Sequence, residues 1–103
     1  MHQQILNEIK QLKKEILPHE RVVLFGSRAR GDEREDSDWD LLILLNTEKI
    51  TPQDDEKYAF PFVLMGWKHG TYISVKIYPK TEWDKQRPSL FRYNIEKEGI
   101  EIT

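Results

Sequence analysis

The stretch RVVLFGSRARGDEREDSDWDLLILL, residues 21–45, decides the expected architecture of this chain. It opens with a short β-branched and aromatic run, residues 21–25, which runs into a glycine and is typical of a strand. It closes with a nearly continuous apolar run, residues 39–45, which is interrupted only by Asp40 and favours a central strand covered on both faces. Residues 28–38 between the two strands are too highly charged to be core.

Outside this stretch, helical and strand patterns alternate along the chain. Pro61 should kink or split the helix predicted over residues 52–69. The other predicted elements are an amphipathic helix over about residues 2–17 that stops at Pro18, a strand over residues 71–78 after a stop at Gly70, a short helix opened by an approximate capping box at Thr81-Glu82-Trp83-Asp84, and a last helix from Pro88-Ser89 to Gly99.

These elements predict an α/β (α+β) fold, a small mixed β-sheet of three or more strands flanked by helices, built as one domain over residues 1–103. The chain has 103 residues, of which 38% are hydrophobic and 33% charged, and no cysteine, which excludes disulfides, thiolate zinc sites and cysteine nucleophiles. Its mean hydropathy of −0.71 argues against a membrane protein. The net charge of −2 disfavours direct nucleic-acid binding. We expect a cytoplasmic location, because the N-terminus shows no signal peptide or lipidation motif.

The turn after the first strand has the features of a phosphate-binding site. Gly26 has no Cβ to block the approach of a ligand to the backbone. Ser27 is a good helix N-cap, and a short helix beginning there would direct free N–H groups at a phosphate. Arg28 and Arg30 add permanent positive charge, although a surface helix face paired with neighbouring acids explains them as well. The spacing from Gly26 to Gly31 matches a P-loop, but Asp32-Glu33 replaces the required Lys-Ser/Thr.

Two aspartates at the start of the second long apolar run have the features of a metal site. Residues two apart on a strand project from one face, so Asp38 and Asp40 should point together, with Trp39 packed on the opposite face. Two acids side by side in an apolar strand are costly unless a cation neutralises them. Mg²⁺ bound by one or two carboxylates together with substrate phosphates satisfies this requirement. A phosphate cradle beside an acid pair predicts a nucleoside triphosphate as ligand.

The pattern Gly26-Ser27, ten residues, then Asp38-Trp39-Asp40 resembles the signature of the DNA polymerase β-like nucleotidyltransferases, and most closely of the minimal nucleotidyltransferases of about a hundred residues. The resemblance implies a polymerase β palm-like fold and the Mg²⁺-dependent transfer of a nucleoside monophosphate, AMP from ATP, to a hydroxyl group. It also implies that Gly26 and Ser27 contact the triphosphate, that Asp38 and Asp40 hold the metal, and that the chain pairs with a HEPN-type toxin as an antitoxin.

This family usually has a third carboxylate on the next strand, which helps to bind metal and to activate the attacking hydroxyl. The strand predicted over residues 71–78 contains no Asp or Glu. Ser74 stands about where that acid is expected, and Lys76 puts a positive charge on the same face. The alternative hypothesis is therefore a catalytically degenerate module that binds a nucleotide or a partner protein.

Two further hypotheses concern a homo-oligomer and a polynucleotide substrate. The aromatic stretch over residues 58–67 is either ordinary core or, in part, an exposed subunit interface. The second alternative would allow a homo-oligomer. Addition of nucleotides to the end of tRNA or another polynucleotide is disfavoured by the acidic balance and by the absence of an RNA-binding domain.

Overall fold

The computed structural model describes residues 2–34, 37–85 and 89–103. Helices and strands alternate over most of the chain. Their bounds are α1 His2–Ile16, β1 Arg21–Phe25, α2 Ser27–Arg30, β2 Trp39–Leu45, α3 Pro52–Asp54, a π-helical turn Asp55–Ala59, α4 Phe60–Lys68, β3 Ile73–Pro79, α5 Lys80–Lys85, α6 Leu90–Glu98 and β4 Ile100–Glu101.

The four strands form one mixed sheet in the order β3-β2-β1-β4. The pairs β1–β2 and β1–β4 are antiparallel, whereas β2 and β3 run parallel. The register pairs Phe25 with Asp40 and Asp40 with Ser74. The end of β1 and the starts of β2 and β3 therefore meet at one edge of the sheet, which confirms the predicted mixed sheet.

Helices cover both faces of this sheet. One face, which we call the α1/α4 face, is packed by α1 and α4 and contains Trp39, Leu41 and Ile73. The opposite face, the α5/α6 face, contains Val23, Leu42, Leu44, Trp83 and Ile95. Trp39 is only 3% exposed and lies on the face predicted for it.

The helix predicted over residues 52–69 forms, but it contains an irregular turn just before Pro61. A proline lacks an N–H and its ring collides with the carbonyl of the preceding turn. The π-helical turn Asp55–Ala59 widens the backbone directly before α4, in which Pro61 lies in the first turn, where no donor is needed. The helix begins with a capping box in which Thr51 and Asp54 bond each other's backbone N–H groups.

Near the C-terminus, the start of one predicted helix is corrected, the start of the next agrees with the prediction at Ser89, and one further strand is present. The helix α5 begins at Lys80, so Thr81 lies inside it and does not open it as a cap. Ser89 caps α6 by accepting a hydrogen bond from Arg92 N at 3.1 Å, while the predicted start at Pro88 lies outside the described residues. The strand β4 was not predicted, because two residues carry no readable period and pair only with β1.

The longest helix, α1, has 15 residues. Over the described residues, no helix is both long enough and apolar enough to cross a bilayer.

Candidate functional site

The turn after β1 is built around the contact between Gly26 and Asp40. Gly26 has φ 77° and ψ −158°, a backbone conformation that is almost restricted to glycine. A Cβ at this position would overlap the carboxylate of Asp40, with Oδ2 as its nearest atom and Cγ at 3.3 Å. The glycine is therefore required twice, once by the backbone conformation and once by the acid packed against it.

The short helix α2 begins directly at this turn. The carbonyl of Gly26 accepts hydrogen bonds from the N–H groups of Ala29 and Arg30, both at 3.1 Å. Gly26 is thus the N-cap and Ser27 the first helical residue, which makes the prediction of Ser27 as N-cap wrong. The reason is that the chain reaches helical geometry immediately after the positive φ of Gly26, so the last non-helical residue is the glycine.

The two aspartates are close enough to repel each other. Burial raises the pKa of the Asp40 carboxyl above its ordinary value, and the negative charge of Asp38 raises it further. The positive charges of Lys76 and Arg30 oppose this shift. Asp40 is half-buried at the mouth of an otherwise buried strand. An acid pair in this state gains from a cation, and its oxygens are the ligands that Mg²⁺ prefers.

Arg28 supports the loop that carries Asp38. Its Nε and Nη2 donate to the carbonyl of Ser37 at 3.2 and 2.8 Å, and its guanidinium lies 4.8 Å from the ring centroid of Trp39. Ser37 is also bonded to Arg34, since its Oγ accepts a hydrogen bond from Arg34 N at 2.7 Å. Arg28 therefore contacts both neighbours of Asp38, the backbone carbonyl of Ser37 and the ring of Trp39.

Arg30 pairs with acids on two elements. Its Nε donates to Asp32 at 3.2 Å, and its Nη1 lies 3.8 Å from a carboxylate oxygen of Glu98 at the end of α6. The surface pairing that the sequence left open is therefore present for Arg30 with Asp32. Binding of phosphate by Arg28 and Arg30 stays a prediction.

The third strand brings two further side chains to the aspartates. Ser74 is the Cα partner of Asp40, and Lys76 lies two residues further along β3. Val75 and Ile77 pack on the α1/α4 face, and Tyr78 packs on the α5/α6 face. The alternation of a strand therefore puts Ser74 and Lys76 on the α5/α6 face, the face of Asp40. In the described parts of the chain, no group of three or more His, Asp or Glu side chains is arranged to hold a metal.

A groove of about 490 Å³ runs along the outer edge of β3, on the side away from Gly26. Among its lining residues are Tyr72 and Ser74 at the start of β3, and Asp55, Glu56 and Phe60 on the helical segment. One of its lining residues, Ser74, is the Cα partner of Asp40 in the sheet. The groove could not be predicted from the sequence, because it depends on how the helix packs against β3.

Comparison with known proteins bears on this arrangement. The family model of the nucleotidyltransferase domain matches residues 2–102. A protein of Methanocaldococcus jannaschii named "Putative protein adenylyltransferase MJ0141" is 36% identical over 104 residues, covering 96% of this chain and 99% of that protein. The fold is similar to that in "Crystal structure of the toxin-antitoxin with AMP-PNP", with a TM-score of 0.64 and 14% identity over 95% of this chain and 72% of the other.

The glycine–serine turn, the aspartates at the start of β2 and the mixed sheet thus occur together in a chain that the family model matches almost from end to end. This chain belongs to the nucleotidyltransferase domain family and is a nucleotidyltransferase.

Proposed function

We propose that this protein transfers AMP from ATP to a hydroxyl group on a partner protein, with Mg²⁺ as cofactor. The observation that carries the proposal is the packing of Gly26 against Asp40, which sets a phosphate-binding turn beside the acid pair. The name of the relative from Methanocaldococcus jannaschii, a protein adenylyltransferase, supports AMP as the transferred group and a protein as the acceptor.

In this proposal, Asp38 and Asp40 hold the metal, and Gly26 and Ser27 contact the triphosphate. Bound Mg²⁺ would supply positive charge that neutralises the triphosphate and the departing pyrophosphate. Burial and the negative charge of Asp38 raise the pKa of the Asp40 carboxyl, and a bound cation would offset both effects, which supports this role.

The reaction is an in-line displacement at the α-phosphorus. The acceptor oxygen forms a bond to that phosphorus, the bond to the oxygen bridging the α- and β-phosphates breaks, and pyrophosphate leaves. With the triphosphate at Gly26 on the β1 side, the acceptor must approach from the β3 side, where the groove beside Ser74 opens. Because β3 contributes no carboxylate, the proton of the attacking hydroxyl passes to solvent, and we expect a slow enzyme.

We infer that the partner is a HEPN-type toxin, with this chain as its antitoxin. Two observations support a protein partner. The structural neighbour is described as a toxin–antitoxin with AMP-PNP. In addition, α4 exposes three large apolar side chains on one side, Phe60, Leu64 and Trp67, of which Trp67 is 55% exposed. Exposed apolar surface of this kind is typical of interaction sites.

The proposed function is tested by incubating the protein with its co-purified partner, Mg²⁺ and ATP labelled at the α-phosphate. We expect label on the partner, and no label with the Asp38→Asn/Asp40→Asn variant. ATP labelled at the γ-phosphate is the matched control and should leave the partner unlabelled, which separates adenylylation from phosphorylation.

The absence of a carboxylate opposite Asp40 favours a second candidate, a contact antitoxin without catalysis. It would bind the partner equally well as wild type and as the double variant, and neither would transfer label. That result would reject the transferase proposal.

A further inference from the structure

We propose that Lys76 binds the α-phosphoryl group of the nucleotide, on the opposite side of Asp40 from the Gly26 turn. This inference depends on the proposed function, since it assumes that a nucleoside triphosphate occupies the site. It assigns to Lys76 a role in substrate binding that the sequence analysis gave to Arg28 and Arg30.

In the sheet, Lys76 lies diagonally across from Asp40. Its Cα lies one strand spacing, about 4.8 Å, across the sheet and two residues, about 6.6 Å, along the strand from Asp40. Its neighbours Val75 and Ile77 pack against the α1/α4 face, so its own side chain is directed to the face of Asp40. A lysine side chain spans this diagonal, and the positive charge of Lys76 acts on the Asp40 carboxyl.

A bound triphosphate would add negative charge to the face of the sheet that carries Asp40. Asp38, Asp40 and a triphosphate together carry a large negative charge that needs cations. Arg28 is bonded to the Ser37 carbonyl, and Arg30 faces Asp32 and Glu98. Lys76 is exposed and forms no ion pair within residues 2–34, 37–85 and 89–103. Lys76 can therefore reach a ligand without first breaking an ion pair.

The order of the strands determines which phosphate Lys76 would meet first. In the sheet, β2 lies between β1 and β3. A triphosphate whose β- and γ-phosphates contact the turn after β1 has its α-phosphate over β2, next to Asp40. The side chain of Lys76 comes from β3 and so meets the α-phosphoryl oxygens before it could meet the β- and γ-phosphates. A point charge on a flexible stem suits a phosphoryl group that must change geometry during transfer.

The experiment compares wild type with Lys76→Ala, Lys76→Arg and the matched control Lys80→Ala by isothermal titration calorimetry. Lys80 is exposed and follows the end of β3 that is far from Asp40. Its replacement by alanine removes the same charge as Lys76→Ala, but at a distance from the site. The three ligands are AMP-PNP, AMP and tripolyphosphate, each titrated with Mg²⁺ and again in EDTA. Circular dichroism melting of every variant checks that it folds.

We expect Lys76→Ala to weaken AMP-PNP and AMP by about tenfold or more, in Mg²⁺ and in EDTA, because both ligands carry the phosphoryl group that Lys76 contacts. Tripolyphosphate should bind as before, Lys76→Arg should restore binding, and Lys80→Ala should resemble wild type. Equal weakening of all three ligands, or no weakening, would overturn the assignment. Failure of the wild type to bind AMP-PNP would instead reject the proposed function.

Discussion

Replacement of Gly26 by alanine tests the structural basis of the site. The backbone at Gly26 has φ 77° and ψ −158°, where a residue with a Cβ is strained by about 1–3 kcal/mol. For a domain of this size, that strain lowers the melting temperature by roughly 4–20 °C. The new methyl group also overlaps the end of the Asp40 side chain, which can rotate away. We therefore expect Gly26→Ala to fold with a displaced Asp40 carboxylate.

The control variants separate backbone strain from displacement of the acid. Gly31 and Gly70 also have positive φ angles, 81° and 70°, but a Cβ at either position meets nothing within 4 Å. Gly31→Ala and Gly70→Ala should each cost about 1–2 kcal/mol through the left-handed backbone alone. Both should bind AMP-PNP with Mg²⁺ like the wild type, whereas Gly26→Ala should bind it at least about tenfold more weakly.

A double-mutant cycle with Asp40→Ala tests the contact between position 26 and Asp40 by stability alone. Removing the carboxylate removes the atoms that the new Cβ of Gly26→Ala would meet. The alanine at position 26 should then cost about 0.5–3 kcal/mol less than in the wild type, as measured by urea unfolding. Additive effects of the two substitutions, or unchanged nucleotide binding by Gly26→Ala, would show that the glycine is needed for the backbone only.

Three further outcomes follow from the same contacts. Burial raises the pKa of the Asp40 carboxyl, so this group is harder to ionise in the folded state than in the unfolded state. Asp40→Asn should therefore have a larger free energy of unfolding in urea than the wild type at pH 7. This difference should disappear as the pH falls below the ordinary carboxyl range. Ser74→Asp supplies a carboxylate opposite Asp40 and should raise label transfer by about tenfold or more, while Ser74→Asn should not. Arg21 pairs with Glu96 at 3.0 Å and with Glu101 at 2.7 Å, so Arg21→Ala should cost about 1 kcal/mol at pH 7; because the hydrogen bond from Arg21 lowers the pKa of Glu96, thermal melting should show this difference shrinking as the pH falls and the carboxylate protonates.

The strands nearest the site could be predicted because their patterns are local. The run from Arg21 to Phe25 and the run from Trp39 to Leu45 form strands with the predicted bounds, since each is apolar and bounded by small or charged residues. The spacing of Gly26, Asp38 and Asp40 could be recognised for the same reason, although β3 lacks the third acid of the family.

The partners of the two arginines could not be predicted, because they depend on distant parts of the chain. Arg28 bonds the Ser37 carbonyl only because the loop returns to the start of β2, and Arg30 meets Glu98 only because α6 ends beside α2. The strand β4 has a similar origin. Gly99 lets the chain turn where a Cβ would meet Ile95 and Val23, and Ile100 and Glu101 then pair with β1.

Nucleotide binding and activation of the acceptor hydroxyl should be separable in this protein. In the proposed function, the turn after β1, the aspartates at β2 and Lys76 on β3 would hold the phosphates, whereas Ser74 on β3 would face the acceptor side. A lysine there supports a phosphoryl group but cannot accept a proton while it is charged. A sheet with this distribution should retain the nucleotide well and activate the acceptor poorly. Under the proposed function, such a chain should act efficiently only on a hydroxyl that a bound partner holds in line, which would restrict transfer to that partner.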